Sequence, residues 1–147
     1  MRKLYLAYGS NMDEEQMAER CPEAKLVGAS VVEDYCLLFK GSARGIYATI
    51  EQKTGGRLPV LVWEISENDE KSLDEYEDYP VLYYKEDIPV PLNGKVESTM
   101  AYIMVADQTF GVPSAEYYDV LRRAYQKFEF PMDILTEAYE VSKAQMA

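Results

Sequence analysis

Four consecutive residues, Tyr8-Gly9-Ser10-Asn11, carry the groups best suited to hold a small anion. A later cluster, Leu73-Asp74-Glu75-Tyr76-Glu77-Asp78-Tyr79-Pro80, carries those best suited to move protons. Glycine lets a backbone approach a ligand closely, and successive N–H groups where a strand runs into a helix form a site for an anion or oxyanion. Taken alone, the turn reads first as a plain helix cap. In the acidic cluster, carboxylates meet the negative end of a helix dipole and repel one another, and both effects favour the protonated form. A carboxyl that also faced an apolar cleft would titrate where proton transfer is useful. Without such a cleft, the cluster is a solvated helix end.

What is missing narrows the chemistry further. The 147 residues include no histidine, which removes Ser-His and Cys-His nucleophiles and most catalytic zinc sites. Acid–base work then falls to carboxylates, tyrosines, lysines or cysteines. Cys21 and Cys36 are too few for a zinc site or a disulfide framework. Cys36 lies in an apolar strand and reads as inert core. Lys53 near Gly55-Gly56 lacks the spacing and the following Ser or Thr of a phosphate-binding loop. No metal-ligand cluster is visible, and we expect neither metal nor cofactor. The 13 tyrosines are read mainly as core and surface residues, with a few free to line a polar pocket.

The net charge of −11, from 15 basic and 26 acidic residues, argues against nucleic acid and against anionic membranes as partners. No apolar run reaches the length of a membrane span, and we expect a cytosolic chain with reduced thiols. A chain of this size buries roughly 70% of its unfolded surface, enough for one domain over residues 1–147.

The elements that must position these residues follow from pattern. Leu4–Tyr8 reads as an apolar strand. It is followed by a short helix over Asp13–Arg20, capped by Asn11 or Asp13 and stopped at Cys21-Pro22. Three strands are predicted at Lys25–Phe39, Ile46–Gln52 and Leu58–Ile65, with turns at Gly41–Gly45 and Thr54-Gly55-Gly56 and a bend near Glu33-Asp34. Ser66, with Asp69 three residues on, predicts the start of a helix running to Tyr76 or Glu77. Tyr84–Leu92 alternates, with Tyr84, Ile88, Val90 and Leu92 on one face. Its two prolines suggest a sheet edge, and Asn93-Gly94 turns it into Lys95–Ala106. Two amphipathic helices close the chain. The pattern predicts an α+β fold, a compact, mostly antiparallel β-barrel of about six strands with flanking helices.

Read together, these segments resemble the γ-glutamylcyclotransferase-like superfamily, closer to its γ-glutamylamine and AIG2-like branch. The resemblance is carried in order by Leu4–Met12, Gly45–Ile50, Leu73–Glu77 with Tyr83-Tyr84, Met100–Met104 and Pro113–Tyr117, from residue 4 to about residue 130. It implies the superfamily's β-barrel with flanking helices. It also implies Glu77 as catalytic acid/base, Tyr8, Gly9, Ser10 and Asn11 as the substrate loop, and Tyr84, Tyr102 and Tyr117 as pocket tyrosines. The family usually has glycine after the glutamate, where this chain has Asp78.

The implied reaction is cyclisation of a γ-glutamyl amine or amino acid to 5-oxoproline. The substrate's own α-amine is the nucleophile, so the absent histidines are no obstacle. A model-peptide α-amine has a pKa of about 7.7–8.0, so it needs a base, and the departing amine needs an acid. Two other expectations stand beside it: a non-catalytic module binding a small carboxylate, and a hydrolase or acyltransferase using the same pocket.

Overall fold

A computed structural model describes residues 2–146. The strands are β1 (Lys3–Ala7), β2 (Lys25–Ser42), β3 (Gly45–Ile65), β4 (Tyr83–Leu92), β5 (Lys95–Met104) and β6 (Thr109–Phe110). The helices are α1 (Glu14–Arg20), α2 (Glu67–Tyr76), α3 (Ala115–Lys127) and α4 (Met132–Ala144), and a single 3₁₀ turn spans Ser10–Met12. One six-stranded sheet runs in the order β4-β5-β1-β3-β2-β6. Its pairings are antiparallel except for the parallel contact of β1 with β5, so the sheet is mixed.

The sheet curls into a half-barrel. The Ser30 hydroxyl of β2 donates to the Pro91 carbonyl of β4, and a Cβ on Gly28 would come 3.5 Å from Leu92 Cδ1. Leu6, Ile50, Leu58, Leu61 and Ile65 are fully buried inside it. Edge strand β4 carries Pro89 and Pro91, whose missing N–H groups cost nothing on an unpaired side. Asn93 and Gly94 both take positive φ, the geometry of the tight turn expected between β4 and β5.

The long β2–β3 hairpin differs from the three strands predicted. Thr54-Gly55-Gly56 is no chain reversal but lies inside β3, and pairing resumes beyond it. The two strands bend together instead. The register shifts between Glu33 and Tyr35, Asp34 and Gly55 both adopt positive φ, and the Gly55 N–H donates to Asp34 Oδ1 at 2.9 Å. Glycine chemistry marks a bulge as readily as a turn, and the length of the partner strand decides which forms. The true reversal is at Ala43-Arg44, between the paired residues Ser42 and Gly45.

Helix starts follow the sequence closely. Asp13, rather than Asn11, caps α1 by accepting from the Gln16 N–H at 3.2 Å. Ser66 and Asp69 form the reciprocal capping box that starts α2. The last helix, α4, docks on β2 through buried Ser142, whose hydroxyl accepts the Phe39 N–H at 2.9 Å. No described helix is long and apolar enough to cross a membrane.

Candidate active site

Strand β1 delivers Tyr8 and the following turn to the rim of a cavity of about 270 Å³. Helix α2 ends on the opposite wall with Tyr76 and Glu77, β4 and β5 contribute Tyr83 and Tyr102, and α3 contributes Tyr117. Seven of the 13 tyrosines line it: Tyr5, Tyr8, Tyr47, Tyr76, Tyr83, Tyr102 and Tyr117. The tyrosine-rich composition is therefore in good part a pocket signal, which composition alone could not assign.

Glu77 is placed by the way α2 stops. Its N–H donates to the Leu73 carbonyl at 2.8 Å, and the chain then reverses through Asp78 at φ 53°. The Asp78 N–H returns to Glu75 O at 3.2 Å and the Tyr79 N–H to Asp74 O at 2.9 Å, the paired bonds of a Schellman cap. That cap favours glycine at the left-handed position. Asp78 fills it with its side chain exposed, so no second carboxylate enters the cavity beside Glu77.

The half-buried Glu77 carboxyl makes no hydrogen bond or ion pair to any described side chain and faces the cavity. Loss of hydration pushes its pKa up to about 7, and the positive charge of Arg20 restrains the rise. Burial, with Glu77's own charge as a further cause, raises the phenols of Tyr5, Tyr8, Tyr83 and Tyr117, so they remain protonated. One titratable carboxyl thus stands among fixed neutral dipoles, an arrangement able to accept and return a proton near neutrality.

The turn opposite is built around close approach. A Cβ on Gly9 would lie 3.2 Å from Tyr117 Oη and 3.3 Å from Ala48 Cβ, tighter than a side chain tolerates without displacing one of them. Tyr117 Oη accepts the Ala48 N–H at 3.1 Å, and Tyr8 Oη donates to the Tyr102 carbonyl at 2.6 Å. Ser10 Oγ and Tyr76 Oη share a hydrogen bond of 2.9 Å across the cavity edge. The N–H groups of Gly9 and Asn11 donate to no backbone acceptor among the described residues.

Of the residues predicted for the site, Tyr8, Gly9, Ser10, Asn11, Glu77, Tyr102 and Tyr117 all line this cavity. Asn11 is turned to the wall: its amide donates to Tyr5 Oη at 2.8 Å, its oxygen accepts from Arg20 at 2.5 Å, and its carbonyl accepts from Trp63 Nε1 at 3.1 Å. Tyr102 presents its ring, while its hydroxyl donates to Asp74 Oδ1 at 2.6 Å. Lys85 bridges that carboxylate (3.0 Å) and Glu70 (2.7 Å), tying α2 to β4.

Tyr84 does not line this cavity. It shares a face with Ile88, Val90 and Leu92, as the alternation predicted, but the cavity opens on the other face. Tyr83, 5% exposed, lines it and donates to the Ala48 carbonyl at 2.8 Å, while Tyr84 is 40% exposed. Side chains alternate along a strand, so choosing the wrong member of a Tyr-Tyr pair reverses the face. The sequence reading did not single out Tyr5, Tyr47 or Arg44 for the cavity, and named Tyr76 only within the acidic helix end. Tyr5 and Tyr76 had a signal, since each lies within a few residues of a predicted site residue.

Comparison with known proteins places the sequence and the fold. Residues 5–120 match the family described as "Gamma-glutamyl cyclotransferase, AIG2-like". The chain belongs to this family. A γ-glutamylcyclotransferase from Homo sapiens is 26% identical over 138 residues, 88% of this chain and 73% of its own. One from Mus musculus is 31% identical over 126 residues, 80% of this chain and 67% of its own. A solved structure titled "Gamma-glutamyl cyclotransferase" superposes with a TM-score of 0.83 at 25% identity, covering 94% of this chain and 86% of that one. The expected fold is thus the observed one, with the barrel seen as a curled half-barrel.

Proposed function

We propose that this chain is a cyclotransferase that converts a γ-glutamyl amine or γ-glutamyl amino acid into 5-oxoproline and the free amine, with Glu77 as the acid–base group. The observation that carries the reading is a single unpartnered carboxyl, titrating near 7, that shares a cavity with the open N–H groups of the Gly9–Asn11 turn. The names of the relatives support the reaction class.

In this reading the α-amine gives a proton to Glu77 and attacks the γ-carbonyl carbon, forming the ring C–N bond. The carbonyl oxygen becomes an oxyanion held by the turn N–H groups. Collapse breaks the original amide C–N bond as Glu77 returns its proton to the departing nitrogen. Burial has already brought Glu77 near the pKa that both steps require. The phenol-lined walls hold the glutamyl group folded back on itself, which removes much of the entropic barrier to ring closure. Arg44, exposed at the mouth, is the cation placed for a substrate carboxylate. Sheet and helices share one core, which supports reading the chain as one domain.

A panel of γ-glutamyl amines and dipeptides, assayed for 5-oxoproline, tests the reading. At least one should be cyclised, and Glu77→Gln should lower its turnover by about 10⁴-fold or more, the top of the range for an acid–base group serving two steps. Free glutamate as product would make the chain a hydrolase. Turnover by Glu77→Gln equal to the parent's would remove Glu77 from the mechanism.

A further inference from the structure

We propose that Arg20 is a positioning residue of this site: it locks the Gly9–Met12 turn to the end of α2 and so sets the turn's N–H groups against the Glu77 carboxyl. The inference rests on the reading of Glu77 as the acid–base group.

Arg20 ends α1 and does not line the cavity, yet its guanidinium joins three elements. Nη1 donates to Asn11 Oδ1 in the turn at 2.5 Å, and Nη2 donates to Gln16 Oε1 on α1 at 2.7 Å. Its plane lies over the Tyr76 ring, 3.5 Å from the centroid. Tyr76 is the last residue of α2 and adjoins Glu77, and its hydroxyl returns to Ser10 Oγ in the turn. The contacts therefore close a ring: turn, Arg20, Tyr76, turn. Asn11 carries the ring inward through its amide bond to Tyr5 Oη on the cavity floor.

A basic residue in the last turn of a helix is ordinary, because it offsets the helix dipole. The choice of partners here is not ordinary. In a chain with 26 acidic residues, this guanidinium forms no ion pair among the described residues and is held by two neutral amides and an aromatic face. Its charge is left unneutralised by any ion pair and acts on the Glu77 carboxyl without touching it. The groups sharing the cavity with Glu77 include the phenols of Tyr5 on β1, Tyr8 just after it, Tyr76 on α2, Tyr83 on β4 and Tyr117 on α3, and the Arg44 guanidinium of the β2–β3 turn. Arg20, from α1 behind the wall, is the cation whose charge lowers the Glu77 pKa. A planar fork that bonds and stacks at once is a property of arginine that lysine lacks.

Two variants separate geometry from charge. For Arg20→Gln and Arg20→Lys, we would measure thermal unfolding, the pH dependence of kcat and KM, and the substrate-free titration of Glu77 by ¹³C NMR on glutamate-labelled protein. Arg20→Gln should lower kcat about 10–100-fold, as expected when reacting groups shift by around an ångström. Removing the cation should also move the Glu77 midpoint, and the acid limb of the profile, upward by about half a pH unit or more. Arg20→Lys should restore the midpoint but not kcat, because an ammonium keeps the charge and loses the clamp. A folded Arg20→Gln with an unmoved midpoint and kcat within twofold of the parent would overturn the proposal, as would full recovery of kcat in Arg20→Lys. A parent protein that makes no 5-oxoproline would sink the cyclotransferase reading instead, and the NMR titration, which needs no substrate, tells the two failures apart.

Discussion

Glu77 illustrates the cost of a working residue. Its carboxyl titrates near 7 in the fold against an ordinary value of 4.5. Between these values the native state holds a proton that the unfolded chain has released. Stability therefore falls as pH rises from about 4.5 to 7 and is level beyond, by up to about 3 kcal/mol. Glu77→Gln carries no such charge. It should match the parent near pH 4 and exceed its stability at pH 8 by roughly that amount, measured by denaturant unfolding at both values. An advantage independent of pH would contradict an ionising Glu77 of raised pKa. The neighbouring tyrosines offer a sharper contrast. Tyr83→Phe strands the buried Ala48 carbonyl and should cost about 1–3 kcal/mol, with weakened catalysis. Tyr84→Phe should stay within about 0.5 kcal/mol of the parent, as an exposed side chain outside the cavity. Equal effects in calorimetry and assay would mean that the face assignment is wrong.

At the scale of the element, α2 does most to build the site, and its two ends were legible to different degrees. Ser66 and Asp69 announce its start by local chemistry, and the capping box forms as expected. Its stop falls at Tyr76, within the predicted bounds, but the cap geometry was not legible, because Asp78 occupies a left-handed position that usually takes glycine. An aspartate there is strained by about 1 kcal/mol or slightly more, part of which glycine returns through its freer unfolded chain. Asp78→Gly should therefore raise stability by about 0.5–1 kcal/mol while kcat/KM stays within a fewfold of the parent. Thermal unfolding alongside the cyclisation assay checks both. A collapse of kcat/KM would show that the Asp78 carboxylate takes part after all. The β2–β3 arm teaches the complementary lesson. Gly55 and Asp34 advertise a change of direction, but whether that change is a turn or a bend depends on how far the partner strand continues to pair.

Over the whole molecule, the half-barrel supplies the floor of the cavity and the helices supply its walls. Tyr117 reaches from α3 to the Ala48 N–H on β3, and α4 seals β2 through the Ser142 hydroxyl. Removing that hydroxyl leaves the Phe39 N–H buried without a partner, so Ser142→Ala should cost about 1–3 kcal/mol. Because Ser142 lies away from the cavity, kcat measured well below the unfolding temperature should change little. A loss of kcat without loss of stability would show that α4 communicates with the site.

Sequence by itself determined the local features. It placed the strand–turn–helix centred on Tyr8–Asn11, the capped start of α2, the edge strand with its prolines, the Asn93-Gly94 hairpin and the absence of any histidine. Each is set by the conformational and hydrogen-bonding preferences of a few adjacent residues, so it is readable without the rest of the chain. The family resemblance added Glu77, by order and spacing along the chain. Only the tertiary structure decided which of Tyr83 and Tyr84 faces inward, that Tyr5 and Tyr76 join the wall, and that Arg20 stands beside a glutamate 57 positions later. Those facts depend on the curl of the sheet and on which helix end packs against which turn. They are long-range outcomes of burial, and no window of neighbouring residues contains them.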